Sequence, residues 1–286
     1  MNNKEIIPKI YFCATPIGNL EDITLRVLRI LKEVDLIAAE DTRHSVKLLN
    51  HFNIKTPLTS YHQHNEISKG DYLVELVKQG KSIALISDAG MPGISDPGEK
   101  LVKKCIEEKV PFTLLPGANA GLTGLVLSGL STESFAFEGF LSRDKARRKG
   151  QIERIKKETR SIILYESPKR VVGTLKELEK YLGDRQVALA RELTKHYEEV
   201  WRGSIGDGIN EFQNRLPKGE FVLIIEGLSP EEIIKEKKKM WEELTILEHL
   251  DYYIEQGDIK KEAIKKVARD RNLAKREVYK HTITRD

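Results

Sequence analysis

Cysteine is almost missing from these 286 residues: only Cys13 and Cys105 occur, both inside apolar stretches. Two thiols cannot build the disulfide framework of a small secreted protein or a four-cysteine zinc site. Long hydrophobic runs are missing as well. Nowhere do eighteen apolar residues stand together, and one lysine, then Pro8 and Lys9, precede any apolar run. Neither an export signal nor a membrane span is therefore expected, and the expected setting is the reducing cytoplasm. Several signatures are absent too. No Gly-x-Gly-x-x-Gly follows the first strand-like run, and there is no P-loop lysine, His-Glu-x-x-His or Gly-x-Ser-x-Gly. These absences speak against a nucleotide kinase, a Rossmann dehydrogenase, a zinc protease and a serine esterase.

What is present is uneven charge. The net +4 conceals two basic stretches: residues 143–160 hold nine Lys/Arg against three Asp/Glu, and residues 259–286 hold ten against four. Together they carry +12, which leaves the rest of the chain at −8. Positive charge concentrated on an acidic protein suits a phosphate backbone, because each neutralised phosphate releases counterions. A solvated lysine-rich face would have the same composition.

Short aliphatic runs at residues 10–14, 36–39, 83–86 and 112–115 alternate with helical patterns, the rhythm of parallel strands with crossovers. A helix capped by Thr24 follows the first turn, with Leu25, Leu28, Leu31 and Ile37 as its expected buried side. A second set of runs lies at 162–165, 187–190 and 221–225, and in the basic stretch between the sets Arg143, Lys145, Arg147, Arg148 and Lys149 are expected to form a mobile loop. Beyond Gly227 the chain turns polar and helix-favouring, opening at Ser229 and Pro230. There Ile259, Ala263, Ile264 and Val267 form one stripe, broken at residues 271–273 and resumed at Val278, as in a helix–turn–helix. The expected organisation is an α/β domain over 1–135, a second α/β domain with the basic insert over 136–228, and a helical segment over 229–286.

Turn-forming residues follow each early strand, where open α/β sheets place their ligands. Residues 87–98, SDAGMPGISDPG, hold three glycines and two prolines, a rigid loop whose amides can approach a ligand closely. A second turn, Pro116-Gly117-Ala118-Asn119-Ala120, follows the next strand. Either turn alone could be an ordinary tight connection. His62 and His64 stand two apart with no cysteine near, so no metal is expected.

Seven separated motifs, in order across residues 10–227, carry a resemblance: ATPIGNL at 14–20, AEDTRH at 39–44, the loop 87–98, FEGF at 137–140, YESP at 165–168, ARELTK at 190–195 and GEFV at 219–222. Together they resemble the ribosomal RNA small subunit methyltransferase I family of the tetrapyrrole methylase superfamily. The resemblance implies a two-domain tetrapyrrole-methylase-like fold, here with a C-terminal helical appendage, that is usually a homodimer and binds S-adenosylmethionine between its domains. It further implies methyl transfer to the ribose 2′-oxygen of a cytidine in the decoding region of small-subunit (16S) rRNA, either as naked rRNA or as an assembled subunit. Four positions depart from the family's usual residues: Met91 replaces threonine, Ala118-Asn119 replaces Pro-Ser, and Lys169 replaces a frequent histidine.

On the matching positions, the superfamily's cofactor contacts fall at Pro16, Asp88, Ala89, Gly90, Met91, Asn119, Ala120, Tyr165, Leu193, Gly219 and Phe221. A core tyrosine ending a strand is the other reading of Tyr165. A ribose hydroxyl is a poor nucleophile, so a base or a cation that steadies the developing alkoxide is expected among Glu40, Asp41, Arg43, Glu166, Glu192 and Lys195. Asp41 and Lys195 rank first, against structural readings in which Asp41 caps a helix and Arg191 pairs with Glu192. Contact with RNA phosphates is expected from Arg43, His44, Arg143, Lys145, Arg147, Arg148, Lys149, Lys169 and Arg170. Two rivals stay open: a superfamily enzyme acting on a tetrapyrrole or other small molecule, and a non-catalytic RNA-binding or ribosome-assembly protein.

Overall fold

The computed structural model describes residues 7–215 and 218–283. They divide into two compact units at the Glu226–Gly227 bond. Two five-stranded sheets make up the first. In the first sheet, β1 (Ile10–Cys13), β2 (Leu36–Ala39), β3 (Leu58–Ser60), β4 (Ile83–Ile86) and β5 (Phe112–Leu115) run parallel in the order β3-β2-β4-β1-β5. Parallel neighbours need long crossovers. Helices α1 (Leu25–Glu33), α2 (Thr42–His51), α3 (Glu66–Lys78) and α4 (Glu99–Glu107) lie in these connections. Alternate residues of the central strands enter opposite cores: Tyr11, Cys13, Ile37, Ala84 and Ile86 on one face, Ile10, Phe12, Ala38, Ile83 and Leu85 on the other. Burial on both faces explains why these strands read as unbroken aliphatic runs.

Thr24 caps α1 by accepting the Val27 N–H, as its position in the sequence suggests. The buried side agrees with the expected one at Leu31 and at Leu28, which packs against the same core, and differs elsewhere. Val27, Ile30 and Leu31 face the core, Leu25 is 85% exposed, and Ile37 belongs to β2. The cap places Leu25 at the first helical position, one turn short of the packed stripe.

The second sheet contains β6 (Phe135–Phe140), β7 (Ser161–Glu166), β8 (Gln186–Arg191), β9 (Glu199–Ser204) and β10 (Phe221–Ile225) in the order β6-β7-β10-β8-β9. Only β6 and β7 are parallel; the other neighbours are antiparallel. Helix α5 (Ala120–Ser128), which precedes the expected boundary at 135, packs on this sheet through Leu125 against Ile163, Ala188, Val222 and Ile224. Gly124 permits the approach: a Cβ there would sit 3.1 Å from both Val222 and Ile224. On the far face α6 (Lys145–Lys156), α7 (Val171–Leu182) and α8 (Ile205–Gln213) cover the sheet.

Helix α6 corrects an expectation. Lys145, Arg147, Arg148 and Lys149, anticipated with Arg143 as a mobile loop, are helical, in a helix capped by Asp144 and anchored by buried Ile152 and Ile155. Their i, i+3 spacing is enough to bury one face, even though lysine and arginine dominate the composition.

The second unit holds α9 (Pro230–Glu243), α10 (Ile246–Glu255), α11 (Lys260–Asp270) and α12 (Lys275–Ile283). Ser229 and Thr245 each close a capping box. Its core gathers Leu250, Ala263, Ile264, Val267, Ala268 and Val278, whereas Ile259 is exposed. Asn272, at φ +53°, makes the turn between α11 and α12. His249 is fully buried, stacks on Trp241 with ring centres 3.7 Å apart, and accepts the Arg271 Nε–H at Nδ1 (3.1 Å). Burial and the Arg271 charge push its pKa down to about 4. Arg285 and Asp286 of the basic tail lie outside the described residues. No helix among the described residues is long and apolar enough to cross a membrane.

Candidate functional site

A cavity of about 870 Å³ opens where the carboxyl ends of β1, β2 and β4 meet β7, β8 and the start of β10. Its floor is built from backbone. Thr15 and Gly90 exchange both N–H···O bonds (2.9 and 3.1 Å), and the Thr15 hydroxyl donates to the Ser87 carbonyl. Gly90 has φ +76°, and a side chain there would press on Ile17, 3.3 Å from its Cβ. Only glycine holds that conformation at no cost while leaving the loop open to a ligand. Opposite it, Asn119 caps α5 by accepting the Leu122 N–H and donates to Met91 Sδ. The Tyr165 hydroxyl accepts the Gly121 N–H (3.1 Å), and its ring meets Phe137 and Phe140 edge-on.

The two α/β halves are clasped at this cavity. Asn19 donates its backbone N–H to the Thr194 hydroxyl, and a Cβ on Gly18 would lie 2.6 Å from Lys195 and 2.8 Å from the Leu193 carbonyl. Glu192 and Thr194 both hold positive φ, +51° and +66°. Non-glycine residues adopt such angles only where their surroundings force them, commonly at working sites.

Charge in the cavity is segregated. Glu40, Asp88, Asp96, Glu192 and Glu220 line it, as do His44, Lys47 and His51 from one face of α2, and Lys195. Burial, together with the negative charges of Glu40, Asp88 and Glu220, drives Asp96 up to about 7. Glu40 is raised by burial and by Asp88, and its Oε2 is buried without a hydrogen-bond partner among the described residues. Lys195 is held by Glu192 at 3.1 Å. An excess of negative charge beside glycine turns and an aromatic wall suits a ligand that carries positive charge, polar groups and a flat ring.

All eleven residues expected at the cofactor line this one cavity, and so do Lys195 and His44. Asp41 is not among the lining residues. It caps α2 by accepting the Arg43 N–H and is clamped by the Arg43 guanidinium, which holds its carboxyl down at about 2. Glu166 is buried and fully engaged by Thr174, Ser167 and Arg170. Arg191 pairs with Glu199, and Glu192 with Lys195, so the anticipated Arg191–Glu192 pair does not form.

The basic residues expected at RNA spread elsewhere. Arg43, Arg143, Lys145, Arg147, Arg148, Lys149, Lys169 and Arg170 are not among those lining the cavity. Arg148 is bound to Glu177 and Thr174, and Arg170 to Glu166 and the Leu141 carbonyl. Lys47 and His51 were missed, although their spacing from His44 places all three on one helical face. Asp96 was overlooked inside a loop already singled out, because no local pattern reveals which carboxylates converge across two sheets. Among the described residues no cluster of three metal-ligating side chains exists.

Comparison with known proteins adds to this picture. The family model for tetrapyrrole (corrin/porphyrin) methylases matches residues 9–208. The chain is 49% identical to ribosomal RNA small subunit methyltransferase I of Bacillus subtilis (strain 168), over 97% of this chain and 95% of that protein. With the Synechocystis protein of that name it shares 44% identity over 94% and 95% of the two chains. Its match to the Thermotoga maritima protein, also 44% identical, spans 219 residues, 77% of this chain and 98% of that one. Among solved structures, diphthine synthase superposes with a TM-score of 0.61 at 14% identity, covering 77% of this chain and 90% of that one. Uroporphyrin-III-C-methyltransferase from Thermus thermophilus gives 0.56 at 18%, covering 77% and 94%. At such identities these structures establish the fold alone.

Proposed function

The chain belongs to the ribosomal RNA small subunit methyltransferase I family of the tetrapyrrole methylases, and on that premise we propose that it transfers a methyl group from S-adenosylmethionine to small-subunit rRNA in the cytoplasm. The acceptor in this reading is the ribose 2′-oxygen of a cytidine in the decoding region. One observation carries the proposal: the eleven residues matched to the superfamily's cofactor contacts line a single acidic cavity.

The residues present fit the cofactor. Gly90 and Ala89 leave their backbone open to it, Met91 and Asn119 close one side, and Tyr165, Leu193 and Phe221 supply apolar surface. Glu40, with an unpartnered buried oxygen, and Asp88 and Asp96 offer negative charge to a sulfonium and an ammonium group. When bound, the cofactor supplies an activated methyl group, so the protein's work is alignment and handling of the hydroxyl proton. His44, Lys47 and His51 extend along α2 from the cavity and suit the phosphates of a strand entering it.

The basic helices of the second unit are proposed to add RNA affinity and no chemistry. The Thermotoga maritima relative supports this, because the 219 matched residues account for 98% of it, fewer than the 226 of the first unit here. A symmetric homodimer is also proposed. Phe112 and Leu114 on edge strand β5, Leu122 and Val126 on α5, and Phe135 and Phe137 on edge strand β6 are all exposed, and covering them would protect two open sheet edges.

The decisive experiment incubates the protein with radiolabelled S-adenosylmethionine and small subunits, or deproteinised rRNA, from a strain lacking the modification. The site is then mapped by resistance to ribonuclease cleavage. One protected cytidine in the decoding region is expected. Label in a base, or in a tetrapyrrole and not in RNA, would refute the reading.

A further inference from the structure

Asp96 offers negative charge to a bound cation, and its position is tightly fixed. Ser95 before it holds φ +64°, and Gly98 after it holds φ +148° with Gly93 so close that an added Cβ would sit 3.0 Å from its nitrogen. The loop therefore folds back on itself, and buried Pro97 anchors the far side. The groups that face Asp96 come from four elements: Glu40 at the end of β2, Asp88 after β4, Glu220 before β10, and the Tyr165 phenol on β7. None is a cation. Among the described residues no hydrogen bond reaches its carboxylate, whereas Glu40 has the Asp88 N–H and Asp41 has Arg43. Asp96 is the partly buried carboxylate of this cluster that has, among the described residues, no hydrogen bond or cation of the protein's own, and burial with its acidic neighbours drives it up to about 7.

We propose that Asp96 is the proton-handling group of the cavity: a cation bound beside Glu40, Asp88 and Asp96 expels the Asp96 proton, and the freed carboxylate then receives the proton of the ribose hydroxyl. The proposal rests on the reading above, that the cavity takes S-adenosylmethionine and a ribose 2′-hydroxyl. The transfer balances on these terms. The O–C bond forms, the C–S bond breaks with its electron pair kept by sulfur, and the hydroxyl proton passes to Asp96 and from there to solvent. With the sulfonium gone, the field on Asp96 returns to that of the empty cavity, and its affinity for a proton recovers as the proton must be taken up. Neither leading sequence candidate has this property. Asp41 is held ionised by Arg43, and Lys195 is engaged in an ion pair with Glu192.

The test is binding calorimetry on the full chain, in buffers of different ionisation enthalpy, with S-adenosylmethionine and with S-adenosylhomocysteine, which lacks the sulfonium charge. At pH 7 the first should release about half a proton per site and the second markedly less. Affinity for S-adenosylmethionine should tighten roughly tenfold from pH 6 to pH 8, with little change for S-adenosylhomocysteine. In Asp96→Asn the proton release should disappear while binding, though weakened, stays measurable, and single-turnover methylation at saturating S-adenosylmethionine should fall by at least about a hundredfold. Release that persists in Asp96→Asn would assign it to another group and overturn the proposal. Equal pH dependence of the two ligands in the unaltered chain would overturn it without any variant. Failure of the unaltered chain to bind S-adenosylmethionine would instead sink the functional reading itself.

Discussion

Asn119 donates its side-chain N–H to the sulfur of Met91 at 3.8 Å, so two positions at which this chain departs from its family's usual residues touch each other across the cavity. The threonine and serine usual at these positions are both shorter, and here a long thioether and an amide fill the same gap. Asn119→Ala should destabilise the fold by about 0.5–2 kcal/mol, because it also removes the cap of α5, and Asn119→Ser should restore most of that. Met91→Thr should weaken cofactor binding less in the Asn119→Ser background than alone, with a coupling of at least ~0.5 kcal/mol. Thermal unfolding and calorimetry give the four corners of the cycle. Strict additivity would make the contact incidental.

Gly90→Val should lower affinity for S-adenosylmethionine by about a hundredfold. A β-branched residue at φ +76° carries roughly 1–3 kcal/mol of backbone strain, and its side chain meets Ile17 in the place a ligand would approach. Titration of the variant at matched folded fraction is the check, and affinity equal to that of the unaltered chain would remove this turn from the binding site.

Acid should unfold the C-terminal helices through His249. Its pKa falls from 6.5 to about 4 in the fold, so the unfolded chain binds the extra proton first. The stabilisation is fully present above pH 6.5 and is lost as the pH drops toward 4, by up to about 3 kcal/mol. Trp241 stacks on His249 and reports the transition by fluorescence in a Trp201→Phe background. Emission unchanged down to pH 4 would contradict the burial of a neutral imidazole.

A chain ending at Gly227 should fold and bind cofactor with near-normal affinity. Its methylation rate at physiological salt should drop at least about tenfold and recover at low salt, where fewer phosphate contacts suffice. Undiminished activity would leave the basic helices without an RNA role, and loss of folding would make them structural.

Much of this architecture was readable in advance because the central strands are buried on both faces and therefore appear as aliphatic runs. Short or half-exposed strands were not: β3 has three residues, and β9, EVWRGS, alternates too weakly to stand out. The glycine turns were legible since positive φ restricts the residue type, as at Gly90. Identifying the base was harder. Asp41 and Glu40 are neighbours in sequence, yet one is capped and clamped by Arg43 while the other lines the cavity. That distinction depends on the path of the chain after β2, and the clustering around Asp96 depends on strands from both sheets.

The placement of β10 between β7 and β8 bears on how the protein is made. Strand β7 ends at Glu166 and β8 at Arg191, but their shared neighbour is completed only at Ile225. At about 5–20 residues per second, a ribosome leaves the inner edge of β7 unpaired for several seconds while the intervening chain emerges. During that interval the buried IIL run of β7 is an open template for wrong partners. Slowed synthesis between residues 166 and 225, or a weakened β10, should therefore show first as aggregation of newly made chains, before any loss of stability in the finished protein.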